Sequence, residues 1–238
     1  MSEPADFDYD SIPVGYYDQV FHRRTGVQSK WHHLKFDRVR VEIAGRRSHL
    51  DIGCGAGTFV GSLDSAAQVV GVDLAEAQIA YARAHYQMDA HRFEVIAPGP
   101  LPFPDGGFDL VTIIELVEHL EPDAALALLR EAYRVLAPGG RFVITSPNYR
   151  SLWPLLEAMV NRLGEVSYAD QHINRLDRHR LADLLRRAGF KGVRVEGFLL
   201  VAPFAAVLGW DLADRVAALE PRFLVDRLGF LLLGIGEK

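Results

Sequence analysis

The stretch that most constrains the fold is residues 49–57, where glycines occupy the alternate positions Gly53, Gly55 and Gly57. A short apolar run that reaches Asp51 and then continues into alternating glycines is typical of a buried strand, a tight turn and the start of a helix. Glycines have no Cβ, so backbone amides can approach a flat or anionic ligand closely, and the start of the helix adds free N–H donors. The pattern predicts a ligand-binding loop, but an ordinary turn between a strand and a helix has the same appearance.

A second apolar run, residues 68–73, ends in Asp73, which lies 22 positions after Asp51 (73 minus 51). A parallel βαβ unit with this spacing brings the second carboxylate beside the glycine loop, where it can accept hydrogen bonds from the two hydroxyls of a ribose. The dinucleotide loop has the form Gly-x-Gly-x-x-Gly, whereas this loop has Gly-x-Gly-x-Gly. The spacing therefore predicts a nucleoside ligand and leaves its identity open.

Length and composition favour one α/β domain over residues 1–238, because about half of the residues are apolar and can fill a single large core. The 26 basic and 31 acidic residues give a net charge of −5, so no nucleic acid partner is expected. The lone Cys54 fits a reducing compartment. The longest apolar run, residues 198–210, is about 13 residues against the roughly 20 of a membrane-spanning helix. With no secretory signal at the N-terminus, these features predict a cytoplasmic location.

Apolar periodicity and turn residues predict alternating strands and helices after a loose arm over the first ten residues. Beyond the two strands above, strands are predicted over residues 92–96, 108–114, 141–146, 193–198 and 228–235. Helices are predicted around Phe36, Val39 and Ile43, and over residues 74–84, 122–137, 152–163, 178–188 and 209–219. The first five strands suit a right-handed parallel sheet that binds ligands at the carboxyl ends of its strands.

The glycine loop with Asp51 and the acidic end of the second strand resemble the first two motifs of the class I S-adenosylmethionine (SAM) dependent methyltransferases. Residues 101–109 also resemble this family's Leu-Pro-Phe-x-Asp-x-x-Phe-Asp stretch, although Ala97 stands where the family often has an Asp for the adenine amino group. The resemblance implies a Rossmann-like, mostly parallel sheet of seven strands with helices on both faces, an antiparallel last strand and a small lid insertion. It also implies a set of SAM-binding residues: Asp51, Gly53, Gly55, Gly57, Asp73, Leu74 and Ile114.

Two carboxylates and an imidazole follow the fourth strand within five residues, as Glu115, Glu118 and His119. If this run begins a helical turn, the two glutamates share a face. Carboxylates and imidazoles are suitable ligands for a hard to borderline divalent ion. His172 lies further along the chain, just before the helix that Asp177 is expected to cap.

Residues 108–120 are similar to the ubiquinone-pathway O-methyltransferases and to the small-RNA 3′-terminal 2′-O-methyltransferases. In the RNA enzymes, Glu-x-x-Glu-His and a later His hold a magnesium ion that grips two substrate hydroxyls. Carried over, the metal ligands would be Glu115, Glu118, His119 and His172, with Mg²⁺ or another divalent ion bound. In other methyltransferases this histidine acts as a general base or a packing residue without a metal, so His119 as the catalytic base stays open.

Two further segments are interpreted through the resemblance. The segment before the first strand, residues 1–45, would form an arm and a helix that covers the cofactor, with Lys35 able to meet the methionine carboxylate. The insertion over residues 149–176 contains the apolar residues 152–163, which could cover the site and touch a membrane, line a tunnel, or simply pack on the core.

These features predict a SAM-dependent O-methyltransferase that acts on a hydroxylated small molecule or a lipid-like acceptor, with peripheral membrane contact for the lipid-like case. One alternative is an RNA-terminal 2′-O-methyltransferase, which the acidic net charge disfavours. Another is a non-catalytic SAM-binding partner subunit, against which the run of carboxylates and imidazoles argues.

Overall fold

The computed structural model describes residues 13–64, 67–163 and 172–238, and the expected N-terminal arm lies outside them. Its centre is one sheet of seven strands in the order β3-β2-β1-β4-β5-β7-β6. The strands are β1 (Ser48–Ile52), β2 (Gln68–Asp73), β3 (His91–Val95), β4 (Phe108–Ile114), β5 (Leu136–Pro147), β6 (Lys191–Phe198) and β7 (Leu231–Glu237). Neighbouring strands are parallel except that β7 runs antiparallel to both β5 and β6. The expected Rossmann-like sheet with an antiparallel last strand is confirmed.

Ten helices accompany the sheet within the described ranges. They are α1 (Tyr16–Arg23), α2 (Gly26–Ile43), α3 (Thr58–Gly61), α4 (Glu76–Tyr86), α5 (Pro122–Val135), α6 (Trp153–Leu163), α7 (Arg178–Ala188), α8 (Ala202–Ala205), α9 (Trp210–Leu219) and α10 (Arg222–Leu228). The sequence patterns did not predict α1, α8 or α10. Helix α7 begins and ends as expected, because the Asp177 side chain accepts two backbone N–H bonds and Gly189 takes a φ of +110°.

The sheet is covered on both faces, which explains why its central strands are almost wholly apolar. Val111 and Ile113 of β4 belong to the same core cluster as Leu129 of α5 and Leu185 of α7. Leu110, which points to the opposite face, packs in the cluster that contains Phe36 and Val39 of α2. Alternate residues of one strand therefore anchor helices on opposite sides of the sheet.

The boundary between α5 and β5 differs from the prediction that the helix continues to Pro138. Helix α5 ends at Val135, and Leu136 already pairs with Phe108 of β4. Leu136 is fully buried, so strand pairing and burial outweigh the helical spacing that it shares with residues 129 and 133. A register shift between Phe108 and Leu110 accommodates the early start of β5.

The exit of β4 is not an ordinary helical turn. Glu115 has a φ of +52°, a left-handed conformation that is uncommon for a residue with a side chain and is enriched at functional sites. Only Val117–His119 form a short 3-10 turn. The expectation that a helical turn places Glu115 and Glu118 on one face is therefore wrong.

Helix length and composition also bear on membrane insertion. Within the described ranges, every helix is too short or too polar to cross a bilayer.

Candidate active site

A cavity of about 820 Å³ lies at the carboxyl ends of β1, β2 and β4. Its walls come from the glycine loop after β1, the exit of β4, helices α1 and α2, and helix α6. Among the residues that line it are Lys35, Asp51, Gly53, Gly55, Asp73, Ile114, Glu115, Glu118, His119, Glu157 and His172. The structure therefore brings most of the predicted site residues to one cavity. Gly57 and Leu74 lie beside it but do not line it.

The glycine loop combines two different requirements for glycine. Gly55 has a φ of +51°, and a Cβ added there would meet nothing within 4 Å, so this position faces open space. Gly57 has a φ of +77°, and its Cβ would lie 2.7 Å from the ring of Phe93. Gly55 therefore gives a ligand access to the backbone, whereas Gly57 allows the loop to pack on β3.

Asp73 ties this loop to the end of β2. Its carboxylate accepts hydrogen bonds from the backbone N–H of Gly55 at 2.8 Å and of Ala75 at 2.9 Å. Burial raises the pKa of Asp73, and these backbone bonds oppose the change. A carboxylate has about four lone-pair sites, so Asp73 can still accept a hydrogen bond from a ligand hydroxyl.

Asp51 is held by polar residues inside the sheet. Asp51 and Thr112 are register partners on the parallel strands β1 and β4, and the Thr112 hydroxyl donates to Asp51 Oδ1 at 2.5 Å. The Thr112 oxygen in turn lies 2.7 Å from His49 Nε2, which we assign as the donor to it. Burial raises the pKa of Asp51 to about 7 and lowers that of His49 to about 3.

Lys35 and Glu115 form an ion pair on the wall of the cavity. The Lys35 side chain is buried, and the left-handed backbone of Glu115 directs its carboxylate toward α2. Lys35 therefore lies where a basic contact for the cofactor is expected, although in this structure its ammonium group is paired with Glu115.

Three of the four predicted metal ligands form a compact cluster. Glu118, His119 and His172 each offer a ligand atom, and these atoms all lie within 4.8 Å of one another. Glu118 is 1% exposed, and neither of its carboxyl oxygens makes a hydrogen bond within the described part of the chain. Burial, and secondly the charge of Glu115, raise the pKa of Glu118 well above its usual range, while the nearby Ser146 hydroxyl and Lys35 act in the opposite direction. Glu115 is not part of this cluster.

An orphaned buried carboxyl group next to two imidazoles fits a cation. Burial favours a proton on Glu118, and a cation that binds there would replace this proton. One carboxylate with two imidazole nitrogens is a donor set that borderline divalent ions accept. The cluster therefore satisfies a chemical requirement for a metal, and the same residues also suit proton transfer from a hydroxyl.

Sequence reasoning missed several residues of this site. Glu157 of α6 contacts His172 through Nδ1, and the Tyr149 hydroxyl donates to the same carboxylate at 2.9 Å. His49 and Thr112 support Asp51 from within buried strands. A polar residue in an otherwise apolar strand is the signal that points to His49 and Thr112, and a polar residue on the inward face of an apolar helix is the signal that points to Glu157.

Comparison with known proteins agrees with this geometry. A family model described as a methyltransferase domain matches residues 50–144, from β1 into β5. A probable SAM-dependent methyltransferase of Mycolicibacterium smegmatis is 33% identical over 67% of this chain and 58% of the relative. The ubiquinone/menaquinone biosynthesis C-methyltransferase of Desulfotalea psychrophila is 29% identical over 81% of this chain and 84% of the relative. A ubiquinone biosynthesis O-methyltransferase of Marinobacter nauticus is 33% identical over 48% and 50%.

A solved structure extends the match to nearly the whole fold. A SAM-dependent methyltransferase from Thermotoga maritima, described as a possible histamine N-methyltransferase, has a TM-score of 0.65 and 21% identity over 93% of this chain and 94% of that chain. Residues 50–144 therefore form a methyltransferase domain, and the chain is similar to SAM-dependent methyltransferases in its sheet order and glycine loop. It spans about half the length of the M. smegmatis and M. nauticus relatives.

Proposed function

We propose that this chain transfers a methyl group from SAM to a hydroxyl oxygen of a small-molecule or lipid-like acceptor. The observation that carries the proposal is that Glu118, His119 and His172 lie in the same cavity as the glycine loop and Asp73. A hydroxyl acceptor must lose its proton during methyl transfer. A cluster of imidazole and carboxylate groups can take this proton directly, or it can hold a metal ion that lowers the pKa of the hydroxyl.

The cofactor would be held by the loop and the acidic strand ends. Asp73 would accept hydrogen bonds from the ribose hydroxyls, and the open backbone at Gly55 would allow close approach of the ligand. SAM supplies, when bound, a methyl group already activated by its positively charged sulfur, so the protein mainly has to orient the acceptor and manage one proton.

The cluster would act on the acceptor hydroxyl in one of two ways. A divalent ion held by Glu118, His119 and His172 would lower the pKa of a hydroxyl bound to it. Without a metal, a ring nitrogen of His119 would take the proton directly. The orphaned carboxyl group of Glu118 supports the first way, because a cation would compensate its burial.

The chemistry of the cavity wall supports an acceptor with an apolar part. Trp31, Trp153, Leu156 and Phe204 line the cavity, while Leu152, just before α6, and Leu155 of α6 are 57% and 69% exposed. An exposed apolar edge beside an apolar cavity suits a lipid-like acceptor taken from a membrane surface, in which case α6 would serve as the lid expected over residues 149–176. We propose peripheral membrane contact through this edge.

The experiment is a turnover assay on the full chain with ¹³C-methyl SAM and matched acceptors, namely catechols, phenols with an apolar tail, and their O-blocked or deoxy analogues. A ¹³C methyl signal on oxygen, lost with the blocked analogues, is expected. Transfer to a ring carbon would instead show the chemistry named for the D. psychrophila relative. A short RNA with a free 3′ diol tests the RNA alternative. SAM binding without turnover of any acceptor would favour a non-catalytic role.

A further inference from the structure

Helix α6 presents two different faces along its first turns. Leu152, just before it, and Leu155 are exposed, whereas Trp153, Leu156 and Glu157 all line the cavity. Residues spaced at i, i+3 and i+4 share one side of a helix. Glu157 is therefore an acidic residue on the inward, otherwise apolar side of this helix.

The Glu157 carboxylate is shared by two donors. Its Oε1 contacts Nδ1 of His172, and the Tyr149 hydroxyl donates to Oε1 at 2.9 Å and lies 3.2 Å from Oε2. The side chains of Glu157 and His172 are only 13% and 6% exposed. We assign the proton to Nδ1 of His172, with the Glu157 carboxylate as the acceptor of both hydrogen bonds. The other ring nitrogen, Nε2, then carries no proton, and His172 also belongs to the cluster with Glu118 and His119.

We propose that Glu157 is a positioning residue that fixes the tautomer and ring orientation of His172. This inference rests on the proposed function, because it concerns the same cluster. Carboxylates that accept the second N–H of a ligating histidine fix its tautomer and raise its basicity. Glu157 thus acts through His172 and need not contact the acceptor.

The position of Glu157 on α6 connects the orientation of the His172 ring with the apolar cavity wall where the acceptor is expected. Trp153 lies one turn before Glu157, and its ring centroid is 6.2 Å from that of His172 and 5.8 Å from that of Trp31. One helix face therefore carries both apolar wall residues and the carboxylate that orients His172. The insertion that contains α6 would then do more than cover the cavity, since the cluster depends on it.

The test measures the tautomer of His172 and ion binding on the full chain. Long-range ¹H–¹⁵N spectra, assigned with a His172→Asn variant, are expected to show the Nδ1–H form in the parent protein. In Glu157→Ala the Nε2–H form should become populated, and Zn²⁺ affinity measured by calorimetry should fall roughly 10- to 100-fold. The affinity for S-adenosylhomocysteine should not change, because Glu157 bonds to His172 and Tyr149, whereas Asp73 bonds to Gly55 and Ala75.

Tyr149→Phe is the matched control, since it removes a donor to Glu157 but leaves the contact with His172 in place. It should keep the parent tautomer and Zn²⁺ affinity, whereas a merely structural role would give Tyr149→Phe and Glu157→Ala similar effects. If Glu157→Ala does not fold, Glu157→Met keeps the side-chain length without a carboxylate or amide acceptor and is expected to alter the tautomer ratio. A Glu157 variant that folds and retains the Nδ1–H tautomer overturns the proposal. If the parent binds no Zn²⁺, the metal part of the proposed function fails, and the His172 tautomer alone decides the role of Glu157.

Discussion

Lys35 and Glu115, which are 80 residues apart in the chain, form an ion pair inside the cavity that is lined by the glycine loop. Lys35 is buried on α2, and Glu115 reaches it from a left-handed backbone at the end of β4. A zwitterionic amino acid group carries the charges complementary to this pair. We therefore expect the pair to meet the methionine portion of the cofactor, with Lys35 on its carboxylate.

Replacing Lys35 by Met tests this contact. The loss of a charge-assisted hydrogen bond should weaken S-adenosylhomocysteine binding by roughly 1.5 to 3 kcal/mol, or about 10- to 150-fold. Adenosine lacks the methionine portion, so its affinity should stay near the parent value. Calorimetry with both ligands measures the difference.

Lys30→Met is the matched control for this substitution. Lys30 is a buried lysine on the same helix, but it pairs with Asp214 at 2.6 Å and does not line the cavity. Lys30→Met should therefore leave the affinities for S-adenosylhomocysteine and adenosine unchanged. An equal loss for adenosine and S-adenosylhomocysteine in Lys35→Met would contradict the assignment of Lys35.

Asp73 offers a second test of cofactor placement. Asp73→Ala removes the expected bidentate contact with the ribose and the bonds that hold Gly55 and Ala75, so S-adenosylhomocysteine binding should weaken by about 2 to 3 kcal/mol or more. Calorimetry measures this loss, and Asp89→Ala, at an exposed site, serves as the control. An unchanged affinity in Asp73→Ala would show that Asp73 does not contact the ribose.

The structural features that could be predicted from the sequence are those specified by residue types at a few neighbouring positions. Alternating glycines and apolar runs that end in carboxylates mark the loop after β1 and the ends of the first strands, because strand burial and turn geometry restrict residue type over a few positions. Sequence spacing gives no comparable signal for the pair Lys35–Glu115 or for Glu157–His172, which depend on how distant helices pack. Glu115 illustrates the limit, since its φ of +52° breaks the helical spacing that would have joined it to Glu118.

Asp51 should make the stability of the fold depend on pH. Burial raises its pKa from 3.8 to about 7, so between these values the folded state holds a proton that the unfolded chain releases. The free energy of unfolding should therefore fall as pH rises through this range, by roughly 4 kcal/mol at most. Asp51→Asn keeps an oxygen that can accept the Thr112 bond and has no such titration.

Urea denaturation of parent and Asp51→Asn between pH 5 and pH 8 measures this effect. The stability of Asp51→Asn relative to the parent should increase with pH. Asp89→Asn, at an exposed position, should follow the parent. Parallel curves for parent and Asp51→Asn would show that Asp51 titrates at its usual pKa in the folded protein.

The two faces of α6 should respond differently to substitution. Trp153 is 8% exposed and packs in a core cluster with Phe36 and Phe230, so Trp153→Ala should destabilise the fold by about 3 to 5 kcal/mol. Leu155 is 69% exposed, so Leu155→Ser should leave the melting temperature unchanged. If this edge meets a membrane, Leu155→Ser should reduce binding to phospholipid vesicles and turnover of acceptors with an apolar tail, but not of truncated acceptors. Equal vesicle binding by parent and Leu155→Ser would exclude this edge as the membrane contact.

Substitutions of Glu118 and Glu115 distinguish metal-assisted transfer from simple base catalysis. Because Glu115 pairs with Lys35, the ligand set near His119 is one carboxylate and two imidazoles, which suits Zn²⁺ better than Mg²⁺. Glu118→Gln should therefore lower Zn²⁺ affinity by roughly 10- to 100-fold or more, while Glu115→Gln should lower it little. Calorimetry with Zn²⁺ and Mg²⁺ on both variants measures the two effects.

A chelator completes this test by removing the ion without altering the chain. If transfer is metal-assisted, exhaustive chelation should abolish turnover. It should leave S-adenosylhomocysteine binding intact, because the expected cofactor contacts of Asp73 and the glycine loop do not involve the metal ligands. Added Zn²⁺ or another divalent ion should restore activity. Under base catalysis, chelation should have no effect and only His119→Ala should lower the rate strongly, by roughly the 10²- to 10⁴-fold that a general base contributes. Full activity after chelation, with elemental analysis confirming that no metal remains, would leave His119 as the base and exclude the metal from the mechanism.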